Sequence, residues 1–269
     1  GLGWKIFFAL VLIGAIYAVV RFVLFGLHDL SPAPDLAITA DGGFAYGLPL
    51  DSMSPWAKFR ANALNNGRSA VAPLYIKDSV PWSYRTGKGI FSSPVVDVDG
   101  NCYIGSTDTV FYCFAPDGSV KWRFQTGEII DSSALLDDQG RVYFGSGDAN
   151  VYCLDRETGA LIWKSPAQTT AEVEAQYGIK TYNVNWFEGN IGMLPDGTLL
   201  APNDNYLVYA LNREDGARKT AYPANEMVWS LPSVNVETGR LFFASCYQIL
   251  QNVFAYDVNG KQLWKTGSF

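Results

Sequence analysis

Histidine is almost missing from this sequence: His28 is the only one in 269 residues. It directly follows an apolar run, where it reads as a polar residue at a membrane interface, so a histidine-based active site is excluded. Cysteine is scarce as well. Cys102, Cys113, Cys153 and Cys246 include no Cys-x-x-Cys and no Cys/His spacing, and zinc is not suggested. Basic charge is in short supply: 20 Lys and Arg against 26 Asp and Glu give a formal net charge of −6, without the basic footprint that nucleic-acid binding requires. Ser132 and Ser133 have no histidine to activate them, so a serine nucleophile is not supported. Asp97-Val-Asp-Gly100 and Asp137-Asp-Gln-Gly140 lack the spaced ligands and terminal Glu of a helix-loop-helix calcium site and read as hairpin turns. No catalytic, cofactor-binding or metal-ligating residue is assigned.

Long hydrophobic runs are confined to one place. Residues 6–20 are uncharged, and after Arg21 the apolar run resumes to Leu27. Together that is about 22 residues, enough to cross a bilayer as a helix. No Ala-x-Ala-like cleavage site follows, so the segment reads as an uncleaved transmembrane anchor over residues 1–28, including Trp4, Phe7, Gly14, Ala18 and Arg21. Arg21 can snorkel to the interface, while Gly14 and Ala18 lie four apart, where a neighbouring helix can approach closely. Residues 29–53, with Ser31-Pro-Ala-Pro34 and Asp41-Gly-Gly43, carry turn chemistry and little periodicity, and are expected to form an extended tether.

What remains is rich in apolar residues and in turns, and it repeats. Arg141 to Trp163 contains a phrase that recurs: Cys113 to Gly118 with Trp122, Cys153 to Gly159 with Trp163, Ala210 to Gly216 with Thr220, and Ala255 to Gly260 with Trp264. In each copy the last position follows the glycine by four residues. The period is about 40 residues with one longer repeat, the range of four-stranded propeller blades. Within a period, strand-length runs alternate with turn dipeptides such as Asp99-Gly100 and Asp117-Gly118, and Asp-Gly supplies the positive φ of tight hairpins. The fold expected over residues 54–269 is all-β, a propeller of four-stranded blades with at least four recognisable. Trp122, Trp163 and Trp264, with Gly118, Gly159, Gly216 and Gly260, are its structural repeat positions. Cys113 and Cys153 stand where other repeats carry Ala210 and Ala255, and read as small buried side chains. Ser106-x-Asp108 and Ser146-x-Asp148 recur at one blade position and are expected to hold turn backbones.

The longer repeat contains an insertion, Gln168 to Asn183. It is expected to project as a loop or short helix, and functional variation usually sits in such loops. Glu172, Glu174, Gln176, Tyr177, Lys180 and Tyr182 are the candidate interaction residues.

The phrase Cys153-x-Asp155-x-x-Thr158-Gly159-x-x-x-Trp163 resembles the tryptophan-docking motif of the pyrroloquinoline-quinone (PQQ) type β-propellers, which usually has Ala where this chain has Cys153. Similar too are Ala255 to Trp264, Phe91-Ser-Ser-Pro94, Asp131-Ser-Ser-Ala134 and the leading segment Ser54 to Ser69. For the enzymes of that family the resemblance implies PQQ and calcium in the central channel, beside a pair of adjacent cysteines. No adjacent cysteines exist here, and no calcium ligands match. The resemblance therefore implies a non-enzymatic, membrane-anchored member: a scaffold or accessory subunit of a larger membrane protein complex, contacting the bilayer through its helix and placing the propeller on the periplasmic or extracytoplasmic side. A PQQ-dependent dehydrogenase of which this is one part is the first alternative. A ligand or glycan sensor using aromatics such as Trp186 and Trp229 is the second. Because Trp264-Lys-Thr-Gly267 resembles Trp122-Arg-Phe-Gln-Thr-Gly127, which opens a new blade, the sequence is expected to stop as a fifth blade begins, with further chain or a partner covering the open edge.

Overall fold

The computed structural model describes residues 48–69, 80–235, 237–245 and 252–266. The expected membrane anchor, with Trp4, Phe7, Gly14, Ala18 and Arg21, lies outside them, as does the tether up to residue 47. Among the described residues no helix is long and apolar enough to cross a membrane.

Four antiparallel sheets follow one another along the chain, each of four strands in sequential order. The first blade comprises β1 (Val95–Val96), β2 (Cys102–Gly105), β3 (Val110–Phe114) and β4 (Val120–Gln125). The second comprises β5 (Leu135–Leu136), β6 (Arg141–Ser146), β7 (Asn150–Asp155) and β8 (Leu161–Pro166). The third comprises β9 (Gly192–Met193), β10 (Leu199–Pro202), β11 (Leu207–Leu211) and β12 (Arg218–Pro223), and the fourth β13 (Ser233–Asn235), β14 (Arg240–Ala244), β15 (Val253–Asp257) and β16 (Gln262–Lys265). These are the blades expected from the repeats.

Burial explains the residue pattern. The second and third strands of the second and third blades are buried on both faces, so they read as near-continuous apolar runs. The fourth strands of the first, second and fourth blades alternate or stay exposed, because they lie at the outer edge of their sheets. Alternation splits the core on the third blade: Leu199, Ala201, Leu207 and Tyr209 join the cluster shared with the first two blades, whereas Leu200, Val208 and Ala210 join the cluster shared with the fourth.

Every blade carries a β-bulge at the same place, immediately after Cys113, Cys153, Ala210 or Ala255. Those four residues pair directly with Trp122, Trp163, Thr220 and Trp264. In the three blades with a tryptophan, a small Cys or Ala side chain stands opposite the large ring. Cys113 and Cys153 are free thiols, fully buried, and burial pushes both up to about 12, leaving them unreactive at neutral pH.

The segment before Ser54 also contacts the sheets. Leu48 to Asp51 lie on the second blade: the Asp51 amide donates to the Leu136 carbonyl at 3.1 Å, the Asp138 amide to the Pro49 carbonyl at 3.1 Å, and the Asp51 carboxylate pairs with Arg156. The segment continues along the free edges of the first strands, where the Trp56 carbonyl accepts from Val96 at 3.0 Å and the Ala57 carbonyl from Leu136 at 2.8 Å. Turn chemistry alone concealed this, because the segment binds through backbone groups.

Candidate functional site

Three places bring sequence-marked residues together. The first is the junction between blades. The Trp122 indole donates to the Arg156 carbonyl at 3.0 Å, and the Trp163 indole to the Arg213 carbonyl at 3.0 Å. A Cβ added to Gly159 would stand 2.6 Å from the Trp122 ring, and one added to Gly216 the same distance from the Trp163 ring. Each tryptophan thus lies on the glycine hairpin of the next blade, so the glycine and tryptophan of one motif serve opposite neighbours. Gly118 is covered in the same way by Trp82, whose indole donates to the Pro116 carbonyl at 3.0 Å. Trp82 was missed, although Trp82-Ser-Tyr-Arg-Thr-Gly87 spells the phrase of Trp122 to Gly127. The structure equates the two: Gly87 and Gly127 donate to the Asp108 and Asp148 carboxylates at 2.7 and 2.8 Å. Those acids and the Ser106 and Ser146 hydroxyls hold the expected turns. Asp97 and Asp137 likewise close hairpins and accept from the Tyr103 and Tyr143 hydroxyls at 2.7 Å.

The second place is the insertion. Thr170–Tyr177 form a helix, closed at its start by a capping box between Thr169 and Glu172 and at its end by Gly178 in the left-handed region. Val173 is fully buried in the main core, and Tyr177 and Ile179 pack against it. At the root, Asn205 donates to the Gln168 carbonyl at 2.9 Å and to the Tyr209 hydroxyl at 2.7 Å. Asn205 takes the turn position that Asp108 and Asp148 hold, but it faces a carbonyl where they face an amide, which accounts for an amide side chain there. The six expected interaction residues divide. Glu172 is engaged in the cap, Gln176 accepts from Gln168 at 2.8 Å, and Tyr177 is half-buried. Glu174, Lys180 and Tyr182 are held outward, with Lys180 and Glu174 4.0 Å apart.

The third place lies where the chain enters each first strand. Phe91, Asp131, Glu188 and Trp229 occupy equivalent positions in the four blades, and the Ser93 amide reaches the Ser133 hydroxyl while the Ser133 amide reaches Asn190. Asp204 is 2% exposed and accepts from the Trp229 indole at 2.8 Å, while its amide donates to the Trp186 carbonyl. The Trp186 backbone and the Trp229 indole thus both contact Asp204. Burial, and then the Glu188 charge, push the Asp204 carboxyl up to about 7 against the Trp229 hydrogen bond. Burial and the Asp131 charge raise Glu188, and burial raises Asp131. Among the described residues no group of three or more His, Cys, Asp or Glu converges as a metal site. Beside this place the free edges of the first two blades are bridged by residues 50–58.

A family model described as outer membrane protein assembly factor BamB matches residues 106–266, more than half of the chain. No curated protein matches significantly. Among solved structures, the quinohemoprotein alcohol dehydrogenase from Comamonas testosteroni superposes with a TM-score of 0.61 at 16% identity, covering 81% of this chain and 41% of that one. The quinohemoprotein alcohol dehydrogenase ADHIIG from Pseudomonas putida HK5 gives 0.61 at 13% identity, covering 80% and 40%. BamB from Moraxella catarrhalis gives 0.51 at 14% identity, covering 69% and 51%. The chain thus spans about half or less of these proteins, and at such identities the likeness establishes the fold. With the docking junctions and the family match together, the chain belongs to the PQQ-like β-propeller repeat family whose model bears the BamB description.

Proposed function

We propose that this chain is a non-catalytic scaffold, an accessory or assembly subunit of a larger membrane protein complex, held by its N-terminal helix with the propeller on the extracytoplasmic side. The observation that carries the reading is the insertion. A decorative loop needs no fully buried Val173, capped ends or hydrogen-bonded root, whereas a contact surface needs all three to hold Glu174, Lys180 and Tyr182 in place. The family description supports the same direction.

Isolation from gently solubilised membranes tests it: stoichiometric subunits are expected to accompany the wild-type chain and to be lost with E174K/K180E/Y182A, while circular dichroism stays unchanged. A lone monomer from wild-type membranes would overturn the proposal. The second reading, a portion of a PQQ-dependent dehydrogenase, draws on the dehydrogenases' higher TM-scores. Dye reduction by the membrane-isolated protein on addition of PQQ and calcium would establish it instead.

A further inference from the structure

The junction between the third and fourth blades differs from the others. Where Trp122 and Trp163 supply a ring, the third blade has Thr220, and a Cβ on Gly260 would meet only the Thr220 hydroxyl, at 3.3 Å. The change is not confined to one residue. In the first two blades the docked ring lies 5.8 Å from Tyr103 or Tyr143, which bond to Asp97 and Asp137. The third blade has Leu200 and Leu194 in those positions, replacing a polar pair by an apolar wall.

Tyr222 restores one interaction. Its hydroxyl donates to the Val258 carbonyl at 2.9 Å, and Val258 precedes Gly260 by two residues, as Pro116 precedes Gly118. The hydrogen bond is replaced but the volume is not. A cavity of about 560 Å³ remains, walled by Leu194, Ala210, Thr220 and Tyr222 on one side and Val234 and Val258 on the other. Its rim is polar: Lys219 donates to Thr198 at 2.6 Å and to Asp196 at 3.3 Å. The size falls within the range of binding pockets, and the make-up matches them, a largely apolar wall with a few fixed polar groups.

We infer that this cavity is a binding site for the aromatic side chain of a protein partner, which inserts where the other junctions hold the chain's own tryptophan. The occupant is read from continuity with an interface already described. Trp122 and Trp163, carried on strands, and Trp82, carried on an irregular segment, show that the repeat geometry accepts an indole laid against a glycine hairpin. Thr220 is on the outermost strand of its sheet, so the vacant place opens to the circumference, where a strand from outside can approach. The inference rests on other residues than the insertion surface, so either can fail without the other.

N-acetyl-tryptophanamide is the probe, titrated into the full chain by calorimetry, with N-acetyl-leucinamide and free indole as comparisons. Saturable binding of the tryptophan probe is expected, at least tenfold tighter than that of the leucine probe. Thr220→Trp, which supplies the ring internally, is expected to abolish binding and to leave melting unchanged or raised; Thr220→Phe, a smaller filling, is expected to weaken binding at least tenfold. Absence of saturable binding to the wild type, or equal binding by both variants, overturns the inference. So does binding of indole without binding of N-acetyl-tryptophanamide, which would make the site one for a free aromatic molecule.

Discussion

Gly159 and Gly140 both hold a left-handed backbone, with φ of 73° and 76°, but a side chain on Gly140 would meet nothing within 4 Å whereas one on Gly159 would strike the Trp122 ring. The pair separates two costs. Gly140→Ala is expected to lose about 1 kcal/mol, the backbone penalty alone, and Gly159→Ala clearly more in the same urea titration, because the ring is displaced as well. Asn205→Asp would turn a carboxylate onto the Gln168 carbonyl that the amide now serves. A loss of roughly 1–3 kcal/mol is expected from the same measurement. At Asp204 the sign follows from its raised value. The folded state holds its proton up to about pH 7, the unfolded chain only to about pH 4. The folded state binds more protons between those limits, so stability falls as pH rises through that window and the penalty is complete above it. Asp204→Asn keeps an oxygen for the Trp229 indole and removes the penalty. The variant is expected to be more stable than wild type at pH 8, with the gap closing toward pH 4, as followed by denaturation at several pH values.

At the scale of elements, legibility depended on whether a residue's task lies within its own repeat. Hairpin turns are local: Asp97, Asp137, Ser106 and Ser146 bond to backbone within a few residues, and their spacing alone gives their roles. Blade junctions are not local. The spacing of Gly159 and Trp163 marks a motif, but nothing within it says that the two serve different neighbours. Least legible was the acidic turn at Asp204, because its partners Trp229 and Glu188 come from separate connections and their approach depends on the packing of blades. The insertion helix lies between these extremes. Its capping box, Thr169 with Glu172, is legible once looked for, yet the burial of Val173 is not, since a single apolar residue among polar ones sets no period. Thr169→Ala is expected to cost the helix about 1 kcal/mol. Amide exchange over residues 172–177 should then accelerate by about fivefold, with the strands of the third blade unaffected.

For the molecule as a whole, stability resides in the handover between blades. Trp163→Ala removes a nearly buried ring and its hydrogen bond to Arg213, and a loss of about 3–5 kcal/mol is expected by analogy with buried aromatic truncations. Trp264 is 45% exposed, so Trp264→Ala should cost well under half of that in a parallel thermal melt. The comparison reports whether the array unfolds as one unit or from its looser end.

That looser end gives the molecule a polarity. Each blade lends a side chain forward and receives one from behind, and Trp82 already occupies the receiving place on the first blade, while among the described residues Trp264 lends its ring to no hairpin. Trp264 of one copy therefore cannot settle on the Gly118 hairpin of another, because that glycine is covered by its own Trp82. Whatever receives the Trp264 ring in this manner must offer a glycine hairpin that no ring of its own already covers.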